Sequence, residues 1–147
     1  MSYTYFVSAP ELPLTIAETV EFRRLEGLSL VLPRRPAHWR SILDEAAKSK
    51  GVHLQPALEA DSLRVQKQGI AENPLLYALL GPFSVDQELR TGKLKAAKII
   101  GPYLKRYVTL AHPKQGQLTQ ASRIVSRLIR ETVISWGGQI TAPIRLG

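Results

Sequence analysis

The sequence predicts an α/β fold built on a largely parallel sheet, and three observations carry that prediction. Stretches of strand composition alternate with amphipathic stretches of helical period from Leu28 to Leu89. The run "LSLVL" is almost continuously apolar, the pattern of a strand covered on both faces. The chain has 147 residues, 44% hydrophobic and 22% charged, which is enough for one ordinary domain with a real core and argues against disorder or a fibrous repeat.

Taken in order, "TYFVS" from Thr4 to Ser8 has strand composition, and the two prolines of "APELPL" stop it. "ETVEFRRLEG" reads as a short helical turn ending at Gly27. "LSLVL" is the next strand. Pro36 suits the first turn of a following helix, whose apolar positions Trp39, Ile42, Leu43 and Ala46 recur at helical spacing and which Gly51 ends in a left-handed conformation. "VHLQPALEA" is a second strand, at an edge or irregular because Pro56 lacks an N–H. Asp61 or Ser62 caps a helix running to about Glu72, and Asn73-Pro74 ends it. "LLYALLGPF" returns as a strand, and Ser84 with Gln87 forms a capping box for the short helix "VDQELRTG". "KLKAAKII" and "LKRYVTLAH" are strands either side of Gly101-Pro102. "LTQASRIVSRLIRETVISW" is a long helix with Ala121, Ile124, Val125, Leu128, Ile129 and Val133 on one face and Arg123, Arg127 and Arg130 on another, and the remaining "GGQITAPIRLG" is loop or flexible end.

Composition excludes several function classes. Without cysteine there is no disulfide, thiolate metal site or cysteine nucleophile. The start, "MSYTYFVSAPELPL", is not a secretory signal, and "LLYALLGPF", the longest apolar stretch, is too short to span a bilayer, so a cytoplasmic protein without membrane contact is expected. Net charge is +8, unevenly spread: nine Lys/Arg against eleven Asp/Glu before Arg90, then eleven against one, so the two parts carry −2 and +10. A basic half raises the alternative of direct nucleic-acid binding through residues after Arg90. Solvated faces are the simpler explanation, since no aromatic interleaving or recognition helix accompanies the charge.

Three loops follow the carboxyl ends of strands, where ligands of open α/β sheets sit: Pro33 to Pro36, Glu59 to Ser62, and Gly81 to Ser84. Arg34 and Arg35 fall where strand hands over to helix, next to free N–H groups and the positive end of a helix dipole, so either an external anion joins them or they pair with acids such as Glu26 or Asp44. Glu59 and Asp61, two apart, read as capping and structural pairing rather than a catalytic pair. His38, His53 and His112 lack metal-ligand spacing, and Trp39 and Trp136 read as packing residues. No nucleophile–base arrangement, phosphate-cradling loop or metal cluster emerges, so we expect no enzyme, no catalytic residue, no metal and no cofactor.

The ordered set "LEGLSLVLPRRPAHWRSILDEAAKSKGVHL", "LEADSLRVQKQ", "LLYALLGPFSVDQELRTGKLKAAKIIGPYLKRYVTLA" and "LTQASRIVSRLI" resembles the effector-binding domain of LysR-type transcriptional regulators. That resemblance implies a domain like a type 2 periplasmic binding protein, with a small inducer held between two α/β subdomains. The family's winged helix-turn-helix and the opening part of its first subdomain have no counterpart here, so the chain reads as a fragment. It would comprise one complete α/β subdomain plus part of the other. Residues 1–27 would be a remnant of the first subdomain and the crossover, 28–103 the second subdomain, 104–136 a return strand and helix, and 137–147 a flexible tail. The third cleft loop also departs from the family, with "AENPLLYALLGP" where a Gly-x-Gly-like approach is usual.

Carried over position by position, the resemblance places Ser8 just past the first strand near the crossover. Pro33, Arg34 and Arg35 would open onto the inducer, Asp61 and Ser62 would lie on the second loop, and Gly81, Pro82 and Phe83 on the third. The implied function is inducer sensing. A small metabolite, a carboxylate or other oxyanion, would bind and modulate transcription in a homodimer that reaches DNA only through the helix-turn-helix absent here.

Overall fold

A computed structural model describes residues 2–106, 110–111 and 118–135 of the chain. It divides into two compact units, one from Tyr3 to Lys105 and the other comprising Met1–Ser2 with Arg106–Gly147. In chain order the elements are strands β1 (Ser2–Tyr3), β2 (Tyr5–Ser8), β3 (Thr19–Glu21) and β4 (Ser29–Leu32), helix α1 (His38–Lys50), strand β5 (Gln55–Glu59), helix α2 (Leu63–Glu72), strand β6 (Tyr77–Leu80), helix α3 (Pro82–Arg90), strands β7 (Lys95–Ile100) and β8 (Lys105–Arg106), and helix α4 (Gln120–Ser135). Short 3-10 turns occupy Pro13–Thr15 and Phe22–Leu25.

The larger unit is a six-stranded sheet in the order β3-β7-β2-β6-β4-β5. β4 runs parallel to β5 and β6, and β3 runs parallel to β7. β2 lies between β6 and β7 and is antiparallel to both, with Tyr5 opposite Leu80 and Lys98, and Ser8 opposite Tyr77 and Lys95. Five strands therefore point one way and one points back, as a largely parallel sheet requires.

Period-two alternation splits the buried side chains into two cores. Phe6, Leu30, Leu32, Tyr77, Leu79, Ala97 and Ile99 enter one core; Val7, Val31, Ala78 and Leu80 enter the other. Strands covered on both faces need apolar residues at successive positions, which is why "LVL" of β4 and "YALL" of β6 read as unbroken runs. α1 covers the first face through Leu43, Ala46 and Ala47, while Ile70 of α2 and Val85 of α3 cover the second.

Local chemistry sets the boundaries. Gly51 ends α1 at φ +64, its N–H bonded to the carbonyls of Ala47 and Lys48. β5 is an edge strand, and its register slips between Leu30 opposite Pro56 and Val31 opposite Leu58, a bulge beside the residue that has no N–H to offer. Ser62, rather than Asp61, caps α2 by accepting the Val65 N–H.

Three expectations are corrected. α1 starts at His38 with Ala37 as its cap; Pro36 stays outside, in a turn closed by the Ala37 N–H on the Arg34 carbonyl at 3.0 Å. α3 starts at Pro82, whose fixed φ and missing N–H suit the first helical position, so Ser84 lies inside the first turn and does not cap. "ETVEFRRLEG" is strand β3 followed by a 3-10 turn, because Val20 is buried beside β7 while Phe22 and Leu25, both 0% exposed, anchor the turn in the core. The strands at residues 5–8 and 19–21 share one sheet with residues 29–100.

In the smaller unit α4 is amphipathic as expected, and Ile124, Val125, Leu128 and Ile129 are each more than two-fifths exposed. The strand expected over "LKRYVTLAH" is seen at Lys105–Arg106; residues 107–109 and His112 lie outside the described residues, as do Trp136 and the tail 137–147. Among the described residues no helix is long and apolar enough to cross a membrane.

Candidate functional site

β5, β4 and β6 are neighbouring parallel strands, so the loops that leave their carboxyl ends share one rim of the sheet. These are Pro33 to Ala37 after β4, Ala60 to Ser62 after β5, and Gly81 before α3. The chain leaving β4 enters α1 on one face, and the chain leaving β6 enters α3 on the other. Adjacent strands whose following helices part to opposite faces leave a crevice between their carboxyl ends, the usual ligand position in open α/β sheets. β4 and β6 pair only at Leu30 with Tyr77 and Val31 with Ala78. Beyond that point the Leu79 carbonyl accepts the Trp39 indole N–H at 3.3 Å, so the start of α1 is tied to the crevice wall.

The rim carries a network of charges. Asp61 accepts two hydrogen bonds from Arg34, from its backbone N–H at 2.9 Å and its Nε–H at 3.0 Å. Arg35 donates from Nε to Asp44 at 2.7 Å. Arg40, with its side chain 2% exposed, donates from Nε to Asp44 at 3.0 Å and from one terminal nitrogen to Glu59 at 2.6 Å and to the Pro33 carbonyl at 2.9 Å. A buried guanidinium in this way staples the β4 loop, α1 and the end of β5 together.

The pairing moves both aspartates and one arginine. The Arg34 backbone N–H, then its guanidinium, hold Asp61 below the usual carboxylate range. Burial alone would push Asp44 up, but the hydrogen bonds from Arg35 and Arg40 outweigh it and hold Asp44 low. The Asp44 hydrogen bond raises Arg35 in turn.

Eight of the residues singled out from sequence therefore gather on this rim: Pro33, Arg34, Arg35, Asp61, Ser62, Gly81, Pro82 and Phe83. Ser8 does not. It faces the first residues of β6 and β7, at the opposite rim, because β2 runs backwards between them. Its hydroxyl is buried, donating to the Ala9 carbonyl at 2.8 Å and sharing a 2.7 Å bond with Thr15. Of the two alternatives for the arginines, an external anion or the protein's own acids, the structure shows the second arrangement. They precede α1 instead of opening it, and each already holds a carboxylate of the protein. Asp44, one of the two acids considered beforehand, is the partner of Arg35.

Arg40 and its link to Glu59 were missed. The one local signal was the Arg40–Asp44 pair at helical spacing; Glu59 is nineteen residues away. Among the described residues no cluster of His, Asp or Glu could hold a metal ion.

The family model for the LysR substrate binding domain matches residues 3–133. Similar solved structures include the regulatory domain of CcmR from Synechocystis PCC6803 in complex with 2-PG, 16% identical with a TM-score of 0.73 over 89% of this chain and 62% of that one. The effector-binding domain of QuiR in complex with shikimate is 13% identical, with a TM-score of 0.71 over 91% of this chain and 62% of that one. The reduced OxyR regulatory domain from Pseudomonas aeruginosa is 18% identical, with a TM-score of 0.55 over 69% of this chain and 47% of that one. The chain thus spans 62% of the length of the CcmR and QuiR domains. No curated protein matches it in sequence.

Proposed function

We propose, from the premise that this chain belongs to the LysR substrate-binding domain family, that it senses a small metabolite at the carboxyl-end rim and modulates transcription as part of a regulator. The family is one of transcriptional regulators, and CcmR and QuiR, which share the fold, were solved with the small molecules 2-PG and shikimate. The observation that carries the reading is the convergence of the loops after β4, β5 and β6 on a crevice whose flanking helices part to opposite faces. In this reading Pro33, Arg34, Asp61, Ser62, Gly81, Pro82 and Phe83 form the floor, the ligand carries a carboxylate or other oxyanion, and Ser8 supports the opposite rim without touching ligand.

Binding signals only if the ligand prefers one arrangement of the domain over another. The buried Arg40 staple keeps the floor rigid, so the differential contact falls on the exposed side chains above it. A panel of small carboxylates titrated into isotope-labelled protein tests this. We expect amide shifts concentrated at residues 33–37, 60–63 and 79–83. A binder whose shifts fall only elsewhere sinks the site.

A further inference from the structure

Arg34 offers a carboxylate two donors side by side, a backbone N–H and a guanidinium N–H, and Asp61 fills both, one oxygen on each, at 2.9 and 3.0 Å. Planar two-point recognition of this kind is how proteins hold carboxylate ligands. The seat is built from the loop after β4 and its occupant from the loop after β5, at the same rim.

The two arginines differ in what it costs to change partner. Asp44 is shared between Arg35 and the buried Arg40, and Arg40 also holds Glu59. Drawing an anion out of that network strands a buried charge, which is strongly unfavourable. The Arg34 and Asp61 side chains are 67% and 52% exposed. Such a surface pair has little net strength, because both partners regain water when it opens. Of the two, Arg34 is the one whose anion can be exchanged.

The backbone under Asp61 does not need to move for this. The Ala60 N–H is held by the Leu32 carbonyl at 2.9 Å, the Gln66 side chain donates to the Ala60 carbonyl, and Ser62 caps α2. Release of Arg34 is then a side-chain rotation of Asp61, with the floor left in place.

We propose that Asp61 is an internal pseudo-ligand: it occupies the oxyanion seat of Arg34 when the domain is empty, and an effector carboxylate binds by displacing it. Asp61 thereby determines specificity. A carboxylate must outcompete a tethered copy of itself, which rejects weak anions, whereas a neutral ligand meets no such competition. This rests on the rim being the effector site.

Acetate, the bare carboxylate, is the probe, with affinity read from the Arg34 amide shift in the full 147-residue chain. Asp61→Asn removes the competing charge, and Asp61→Ala repeats the reading with no acceptor left. We expect both variants to take acetate about two- to sixfold more tightly than the unmodified chain, the factor that an exposed competing pair allows. The gain should fall away when Arg34→Ala is added. Equal acetate affinity in the unmodified chain and both variants, with the Arg34 amide moving in all three, overturns the pseudo-ligand and leaves the effector site standing. An Arg34 amide that acetate leaves still in both variants also overturns it, and the carboxylate panel then decides the effector site separately.

Discussion

Asp44 and Asp61 both ionise more readily in the folded chain than a free aspartate, Asp44 through Arg35 and Arg40 and Asp61 through Arg34. A carboxylate whose folded pKa is depressed contributes stability that is present above its unfolded value, near 3.9, and that is lost as pH falls through the folded value. Urea midpoints of the chain should therefore hold steady down to about pH 5 and then decline through about pH 3, as the unfolded chain starts to bind protons first. The double variant Asp44→Asn/Asp61→Asn should show a shallower decline, and an identical profile would refute the assignment. Arg40 is the more consequential residue for the fold. Arg40→Ala empties a packed site and takes a shared donor from Asp44, Glu59 and the Pro33 carbonyl, so we expect a loss of about 1–3 kcal/mol in chemical denaturation. The part of that cost that arises from the acid left at Glu59 should be recovered when Glu59→Gln is added to Arg40→Ala.

Among the elements, α1 depends most on a single backbone position. Gly51 sits at φ +64 with no atom within 4 Å of where a Cβ would be, so Gly51→Ala meets no clash and reports conformational strain alone. A loss of about 1–2 kcal/mol follows, read from urea unfolding. Gly69 in α2 presents the opposite case: an added Cβ would lie 3.3 Å from a Leu58 methyl, so it reports close packing of α2 on β5. These helices and their ends were legible because their causes are local: apolar spacing, Ser62 as cap, Gly51 as stop, Pro56 as a missing donor. β3 was not, since three residues are too few for a period to show, and the reason for a strand there is its neighbour β7. The start of α3 was misplaced for a related reason, as "SVDQ" and "GP" both qualify as helix openings and the carboxyl end of β6 selects the earlier one.

For the whole molecule, the insertion of β2 between β6 and β7 has the largest consequence for the site, because it sends Ser8 to the far rim while leaving the loops after β4, β5 and β6 together. Much of the basic surplus lies from Arg90 onward, including the arginines of α4. If those charges serve only as solvated faces, random-sequence DNA should be retained weakly and with no steep dependence on salt; strong retention that collapses with added salt would instead favour direct nucleic-acid binding. The proposed homodimer predicts a solution mass of twice the 16.4 kDa chain, checked by light scattering across a dilution series.

Sequence alone was sufficient for the alternation of strand and helix, the two-faced burial of β4, and the loops that meet at the carboxyl-end rim. Each of these follows from side-chain periodicity or from a cap, stop or break acting over a few residues. Tertiary structure alone decided the partners. Arg34 and Asp61 are 27 residues apart and Arg40 and Glu59 nineteen, so no local pattern links them. They meet because β4 and β5, joined across α1, became parallel neighbours in the sheet, and sheet order is set by burying both faces at once, a condition that belongs to the whole assembly of elements.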